Sequence, residues 1–219
     1  NFKEHLETLE NRHLNPIESF IPLTHQSEII SFLKSQLNEL EEVLESLFTL
    51  NEITSKSLAK ILSYGEILSS TIIYNILKYK ACDAVLKDSR ELIFTYSIDD
   101  REIVNQKQSE KATKAFLKKN NSKIILIPGF IAQDDKGNTS TLGRGGSDFT
   151  ASLIANYCNA TQLEIWTDVS GMYTAHPKLV SQAIPISKLS YHEAMELSHF
   201  GAKVIYPPTL QPLIDKNIP

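Results

Sequence analysis

Cysteine is scarce: Cys82 and Cys158 are the only two in 219 residues. Two cannot build the disulfide framework of a small secreted domain, and no Cys-x-x-Cys pair is present for zinc or redox chemistry. Both stand among apolar residues in the sequence and are expected to fill core space. Long hydrophobic runs are missing too. No stretch reaches the length of a membrane-spanning helix, and no signal peptide opens the chain. Nor does one sign of charge dominate, with 22 Lys and Arg against 26 Asp and Glu. The lysines at Lys107, Lys111, Lys114, Lys118 and Lys119 recur every three or four residues, which makes them the wet side of one helix. These absences point to a protein of a reducing cytoplasm, with no nucleic-acid and no membrane partner.

Several catalytic signatures are also lacking. No Gly-Lys-Ser/Thr ends a phosphate loop, no glycine triplet has dinucleotide-binding spacing, and no nucleophile elbow occurs. The six histidines build no metal motif, although His192 and His199 share a helix face. No internal repeat or low-complexity linker interrupts the chain.

What is present is periodicity. From Ser27 to Leu50, Ile30, Leu33, Leu37, Leu40, Leu44 and Leu47 recur in steps of three and four, predicting an amphipathic helix about 36 Å long. Ser55 to Lys80 predicts a second, with Leu58, Ile61, Leu68, Ile72 and Ile76 inward. Together they read as a helical hairpin near the N-terminus, preceded by a helix-like pattern (Phe2, Leu6, Leu9, His13). Strands are then expected at Ala81–Leu86, Glu91–Tyr96, Lys123–Phe130 and Gln162–Thr167. Helices are expected within Val104–Lys119 and over Ser147–Asn159, Ser190–Phe200 and Pro207–Lys216. Ser190 and Glu193 have capping-box spacing. Such alternation predicts an α/β fold, a three-layer αβα sandwich with a mainly parallel sheet. The chain divides into a helical region, 1–80, and an α/β region, 81–219.

The densest candidate site is Thr141-Leu142-Gly143-Arg144-Gly145-Gly146-Ser147-Asp148, between a strand and a helix. Its glycines let backbone bend closely around a ligand, and Ser147 is a candidate cap for the helix. Unpaired first-turn N–H groups and the Arg144 fork suit a carboxylate or phosphate. In the second helix, Gly65 costs about 1 kcal/mol relative to alanine. Either another backbone packs there, or room is left for a ligand beside Glu66, which would grip an ammonium group. Thr167 and Asp168 at a strand exit could meet a nucleotide ribose or a phosphate-bound metal, with Tyr173 along a base. An ordinary turn explains them equally well. Gly201 suits a helix C-cap, and Lys203 beyond it reads as a surface lysine or a phosphate contact.

In order and spacing, TLGRGGSD, EIWTDVSGMYT and SYHEAMELSHFGAKVIYP closely resemble the catalytic domain of aspartate kinase, stand-alone or fused to homoserine dehydrogenase. SYGE resembles that family's S/H-x-GE segment. The resemblance runs from about Leu44 to Pro219 and is strongest from Ile125 onward. It implies an amino-acid-kinase fold and an enzyme that phosphorylates the L-aspartate side-chain carboxylate with ATP and Mg²⁺, giving 4-phosphoaspartate for lysine, threonine and methionine biosynthesis. It also implies a homo-oligomer for the full-length protein. By the same resemblance Glu66 holds the substrate ammonium, Arg144 a carboxylate, and Gly145, Gly146 and Ser147 shape the pocket. Asp148 orients charge at the reacting end. Thr167, Asp168, Tyr173, Lys178, Lys203 and Val204 line the nucleotide, and no residue is assigned as a direct metal ligand.

Three departures accompany the resemblance. The family's opening strand, with its Lys-Phe-Gly-Gly run, has no counterpart, so the first strands are expected to be missing. Thr174-Ala175-His176-Pro177-Lys178 stands where the family often has Thr-x-Asp-Pro-Arg, keeping the charge but losing the fork. No effector-sensing ACT domain is expected within the chain. These departures leave two rivals open: an inactive nucleotide-binding or interaction module, and another amino-acid kinase of the same architecture.

Overall fold

A computed structural model describes residues 2–99, 101–201 and 204–219. Three helices open the chain: α1 (Phe2–Phe20), α2 (Ser27–Leu50) and α3 (Ser55–Tyr79). Helix α2 stops at Asn51, whose left-handed φ of 52° ends the ladder. Thr54 then caps α3 reciprocally with Ser57. Ile17 and Ile21 around the end of α1, Ile29, Leu33, Leu37 and Leu40 on α2, and Tyr64, Leu68 and Ile72 on α3 form one core. Leu58, expected inward, is exposed. The small residues Ala59 and Ser63 are buried instead, and α3 packs on the strands beneath it.

Strand β1 (Ala84–Leu86) pairs in parallel with β4 (Ile124–Leu126), in the register Ala84 to Ile124. Beside this ladder, Ser89 is fully buried and donates from Oγ to the Ile131 carbonyl at 2.8 Å. Parallel bridging of Phe94 to Gln133 continues the connection. Two antiparallel hairpins flank it: β2 (Thr95–Ile98) with β3 (Arg101–Val104), and β5 (Ile131–Gln133) with β6 (Thr139–Thr141). The second occupies part of what reads in sequence as an open loop. Asp134 organises its turn by accepting N–H bonds from Lys136 and Asn138. Helix α4 (Gln106–Lys119) keeps its lysines exposed, and α5 (Gly146–Cys158) packs beside it. Leu92, Ile93, Val104, Ala132, Leu153 and Tyr157 make the second core. Cys158, at the end of α5, is exposed rather than buried, although its neighbour Tyr157 points inward.

The expected strand over 123–130 is shorter than its apolar run, because the chain leaves the β1 ladder after Leu126. Segment 162–167, also expected as a strand, has no ladder among the described residues. A strand requires a neighbour for its N–H and C=O groups. Among the described residues, the Leu163 N–H is the one backbone group of this segment that is paired, donating to the Pro219 carbonyl at 2.8 Å. Helix α6 (Tyr191–His199) begins with the expected Ser190–Glu193 capping box, and Gly201 follows it at φ 118°. The single helix expected over 207–216 divides into a one-turn 3₁₀ segment, Pro207–Thr209, and α7 (Gln211–Ile214). Pro207, Pro208 and Pro212 lack the N–H groups a continuous helix would use. Ala155, Met172, Ala194, Leu210, Leu213 and Ile218 close a third core on the outer side of α5. Among the described residues no helix is long and apolar enough to cross a membrane.

Candidate active site

Hairpin β5–β6 delivers the chain into the glycine-rich turn, and α5 starts at its far end. Gly145 has φ 68°, and a Cβ there would fall 2.7 Å from Cβ of Tyr206. Gly146 is helical, but a Cβ on it would meet the Phe130 ring at 2.8 Å. The turn is thus pressed between Tyr206 on one side and Phe130 on the other. Phe130 itself has φ 69°, a sparsely populated conformation for a bulky residue. Its N–H donates to Thr150 Oγ1, which in turn donates to the Gly146 carbonyl, and its carbonyl accepts the Leu142 N–H. These bonds hold the strained residue against the start of α5. Ser147 is not the cap expected of it: the helix begins one residue earlier, from a left-handed Gly145 with no side-chain cap bond. The first-turn amides of Ser147 and Asp148 have no intrahelical acceptor and face the α5 N-terminus.

Arg144 is exposed, and its guanidinium carbon lies 5.7 Å from the centre of the Tyr206 ring. That contact is a cation–π interaction that leaves the guanidinium N–H fork available. Nothing in the local sequence around Tyr206 signals this contact. The two residues are 62 apart in sequence and meet only in the folded chain.

Two carboxylates in this region lack compensation. Asp148, in the first turn of α5, is partly buried, and desolvation alone raises its pKa. Glu66, on α3, is partly buried too, and burial again is the cause that lifts its pKa. Neither rise is offset by a neighbouring charge. A Cβ added at Gly65 would meet nothing within 4 Å, so that glycine is not explained by packing against another backbone. The space beyond the Gly65 Cα is open. The helix bearing Glu66 packs against β5 and β6, the hairpin that ends in the Arg144 turn.

Asp148 lines a cavity of about 170 Å³ with Leu163, Ile165, Tyr191 and Thr209. The Tyr191 hydroxyl is buried there without a hydrogen-bond partner. Neither Glu66 nor Arg144 lines this cavity. What the structure brings together is therefore the start of α5 and the segment leading into Thr167 and Asp168. Both of those residues are exposed. Thr167 folds back, its Oγ1 accepting the Val169 N–H and donating to the Val169 carbonyl. Tyr173 is partly buried and bridges Pro185, while buried Met172 ties the segment to the third core. Lys178 is exposed, and its N–H donates to His176 Nδ1. Val204 packs against the third core, and Lys203 lies outside the described residues.

Chemically, the arrangement offers an anion cradle of amides plus a guanidinium, with desolvated carboxylates on α3 and α5. Among the described residues, no group of three or more His, Cys, Asp or Glu could hold a metal ion. The chain matches the amino acid kinase family over residues 9–219. It is 38% identical over 187 residues to lysine-sensitive aspartokinase 3 of Escherichia coli, covering 83% of this chain and 42% of that protein. It is 35% identical over 224 residues to a bifunctional aspartokinase/homoserine dehydrogenase of Buchnera aphidicola, covering 98% of this chain and 27% of that protein. In structure it superposes on E. coli aspartokinase III in complex with aspartate and ADP with a TM-score of 0.87 at 31% identity, over 98% of this chain and 47% of that one. The chain thus spans less than half the length of these relatives. Its sequence match, its αβα architecture and its likeness to that solved enzyme agree, and the chain belongs to the amino acid kinase family.

Proposed function

We propose that this chain forms the greater part of an aspartate kinase catalytic domain, transferring the γ-phosphoryl group of ATP to the side-chain carboxylate of L-aspartate. The observation that carries the reading is the Arg144 turn: an exposed guanidinium and free first-turn amides, on a fold shared with an enzyme solved with aspartate and ADP. Arg144 takes a substrate carboxylate through its fork, and Gly145, Gly146 and Ser147 form the wall. Glu66 accepts the substrate ammonium, which supplies the positive charge that its buried carboxylate lacks.

No general base is required, because the attacking carboxylate is already ionised at neutral pH. One of its oxygens forms the new bond to phosphorus as the bond to the ADP oxygen breaks. The protein's task is to bring two anions together and offset charge on the moving group. Mg²⁺ bound with ATP supplies part of that positive charge. Such an ion needs only one or two protein carboxylates besides the phosphates. The exposed Asp168 and the partly buried, uncompensated Asp148 fit that requirement. Thr167, Tyr173, Lys178, Lys203 and Val204 form the nucleotide side.

The test is hydroxylamine trapping of an acyl phosphate by the natural gene product containing this chain, with and without aspartate. An aspartate- and ATP-dependent hydroxamate is expected, and Arg144→Ala should weaken aspartate binding by about tenfold or more, the worth of a charge-assisted pair. An aspartate-independent signal, or unchanged aspartate affinity in that variant, would reject the assignment.

A further inference from the structure

Tyr206 is 37% exposed, yet its backbone is firmly held. Pro207 and Pro208 follow it and confine it to extended geometry, observed at φ −87° and ψ 120°. Its carbonyl accepts the Thr209 N–H at 2.9 Å and the Thr209 hydroxyl at 2.6 Å. Thr209 is 1% exposed, and Leu210 after it belongs to the third core. Tyr206 thus stands on a short, anchored segment rather than on a loose loop.

Its side chain meets two consecutive residues of the glycine-rich turn. A Cβ on Gly145 would fall 2.7 Å from Tyr206 Cβ and 3.2 Å from its Cγ and Cδ1, so the tyrosine fills the space that the glycine leaves. The same ring centre lies 5.7 Å from the Arg144 guanidinium carbon. Among the described residues no carboxylate pairs with Arg144. The ring therefore restrains an otherwise exposed guanidinium. An arginine side chain loses rotamer freedom when it grips an anion, and restraint beforehand reduces that loss. A ring face does this without occupying the N–H donors, as a carboxylate partner would.

We propose that Tyr206 is a positioning residue for the anion site: its ring holds the Arg144 guanidinium so that the fork meets a substrate carboxylate with little left to order. Gly145 is its counterpart, because a residue with a Cβ would push the ring away from the turn. This role rests on the reading of Arg144 as the carboxylate clamp, and it acts on acceptor binding rather than on phosphoryl transfer. The tyrosine hydroxyl takes no part, since the attraction is to the face of the ring.

The test measures steady-state acyl-phosphate formation by the natural gene product, for Tyr206→Phe, Tyr206→Leu and each of these combined with Arg144→Ala. Tyr206→Leu should raise KM for aspartate by about three- to tenfold, the cost of ordering one long side chain, with kcat and KM for ATP within about twofold. Tyr206→Phe should match the wild type. On the Arg144→Ala background, Tyr206→Leu should add nothing. A readout independent of turnover is the rate at which phenylglyoxal modifies Arg144, followed by peptide mass spectrometry. Freed of the ring, Arg144 should react at least about threefold faster in Tyr206→Leu, and at the wild-type rate in Tyr206→Phe. An unchanged modification rate in Tyr206→Leu overturns the proposal. So does a further rise in KM on the Arg144→Ala background, or a fall in kcat with both KM values moving together, which marks a merely structural role. If the modification rate responds as expected but no form makes aspartate-dependent acyl phosphate, the kinase reading fails while the hold of Tyr206 on Arg144 stands.

Discussion

Glu66 shows how a single side chain can oppose folding and serve binding. Its carboxyl pKa is raised by burial, so between the unfolded and the folded pKa the native state holds more protons than the unfolded one. Stability contributed there falls as pH rises through that window and stays reduced at neutral pH, where the buried group is charged. Glu66→Gln should therefore raise Tm by about 1–3 °C at pH 7 and flatten the decline above pH 4, while weakening aspartate binding by about tenfold or more. A lower Tm at pH 7 would mean that the carboxylate is compensated after all. Glu66 was legible in the sequence because the neighbouring glycine breaks a helix rule. That no other backbone packs on Gly65 was not, because it depends on what lies across from it in the folded chain. Arg144 was legible from its glycine setting, whereas its support, Tyr206, was hidden by distance along the chain.

Elements were readable wherever their signals were local. The α2 and α3 stripes, the α4 lysine face and the Ser190–Glu193 capping box all repeat within one or two helical turns. Ser190→Ala removes both the Oγ acceptor of the Glu193 N–H and a Glu193 contact, and should cost about 1 kcal/mol by denaturant titration. An unchanged midpoint would show that the exposed cap contributes nothing. Strands were less readable. The apolar run over 123–130 looks continuous, yet only Ile124–Leu126 pairs. Gln162–Thr167 has strand composition but no ladder, since pairing is a property of two segments rather than one. The β5–β6 hairpin hid behind a turn whose organiser, Asp134, bonds to backbone four residues on.

For the molecule as a whole, the arrangement matters more than any element. The described residues form three apolar cores: a helical one, a central one and one built around α5, α6 and α7. The Arg144 turn connects the β5–β6 hairpin under α3 to the helix shared by the other two cores. Leu33, 1% exposed, anchors the helical core, and Leu33→Ala should cost about 2–5 kcal/mol. If the chain unfolds as one unit, amide hydrogen-exchange protection in α5 and far-UV ellipticity should be lost at the same lower midpoint. Separate midpoints would show that the helical region unfolds alone. The sequence by itself determined the fold class, the long helices and the glycine conformation of the turn at residues 141–148. Those rest on residue spacing, glycine conformation and charge, which act over a few residues. Only the tertiary structure decided that Asp148 shares a cavity with the segment before Thr167 and that Tyr206 carries Arg144. Contacts between segments far apart in sequence, and the desolvation they impose, exist only once the chain has packed.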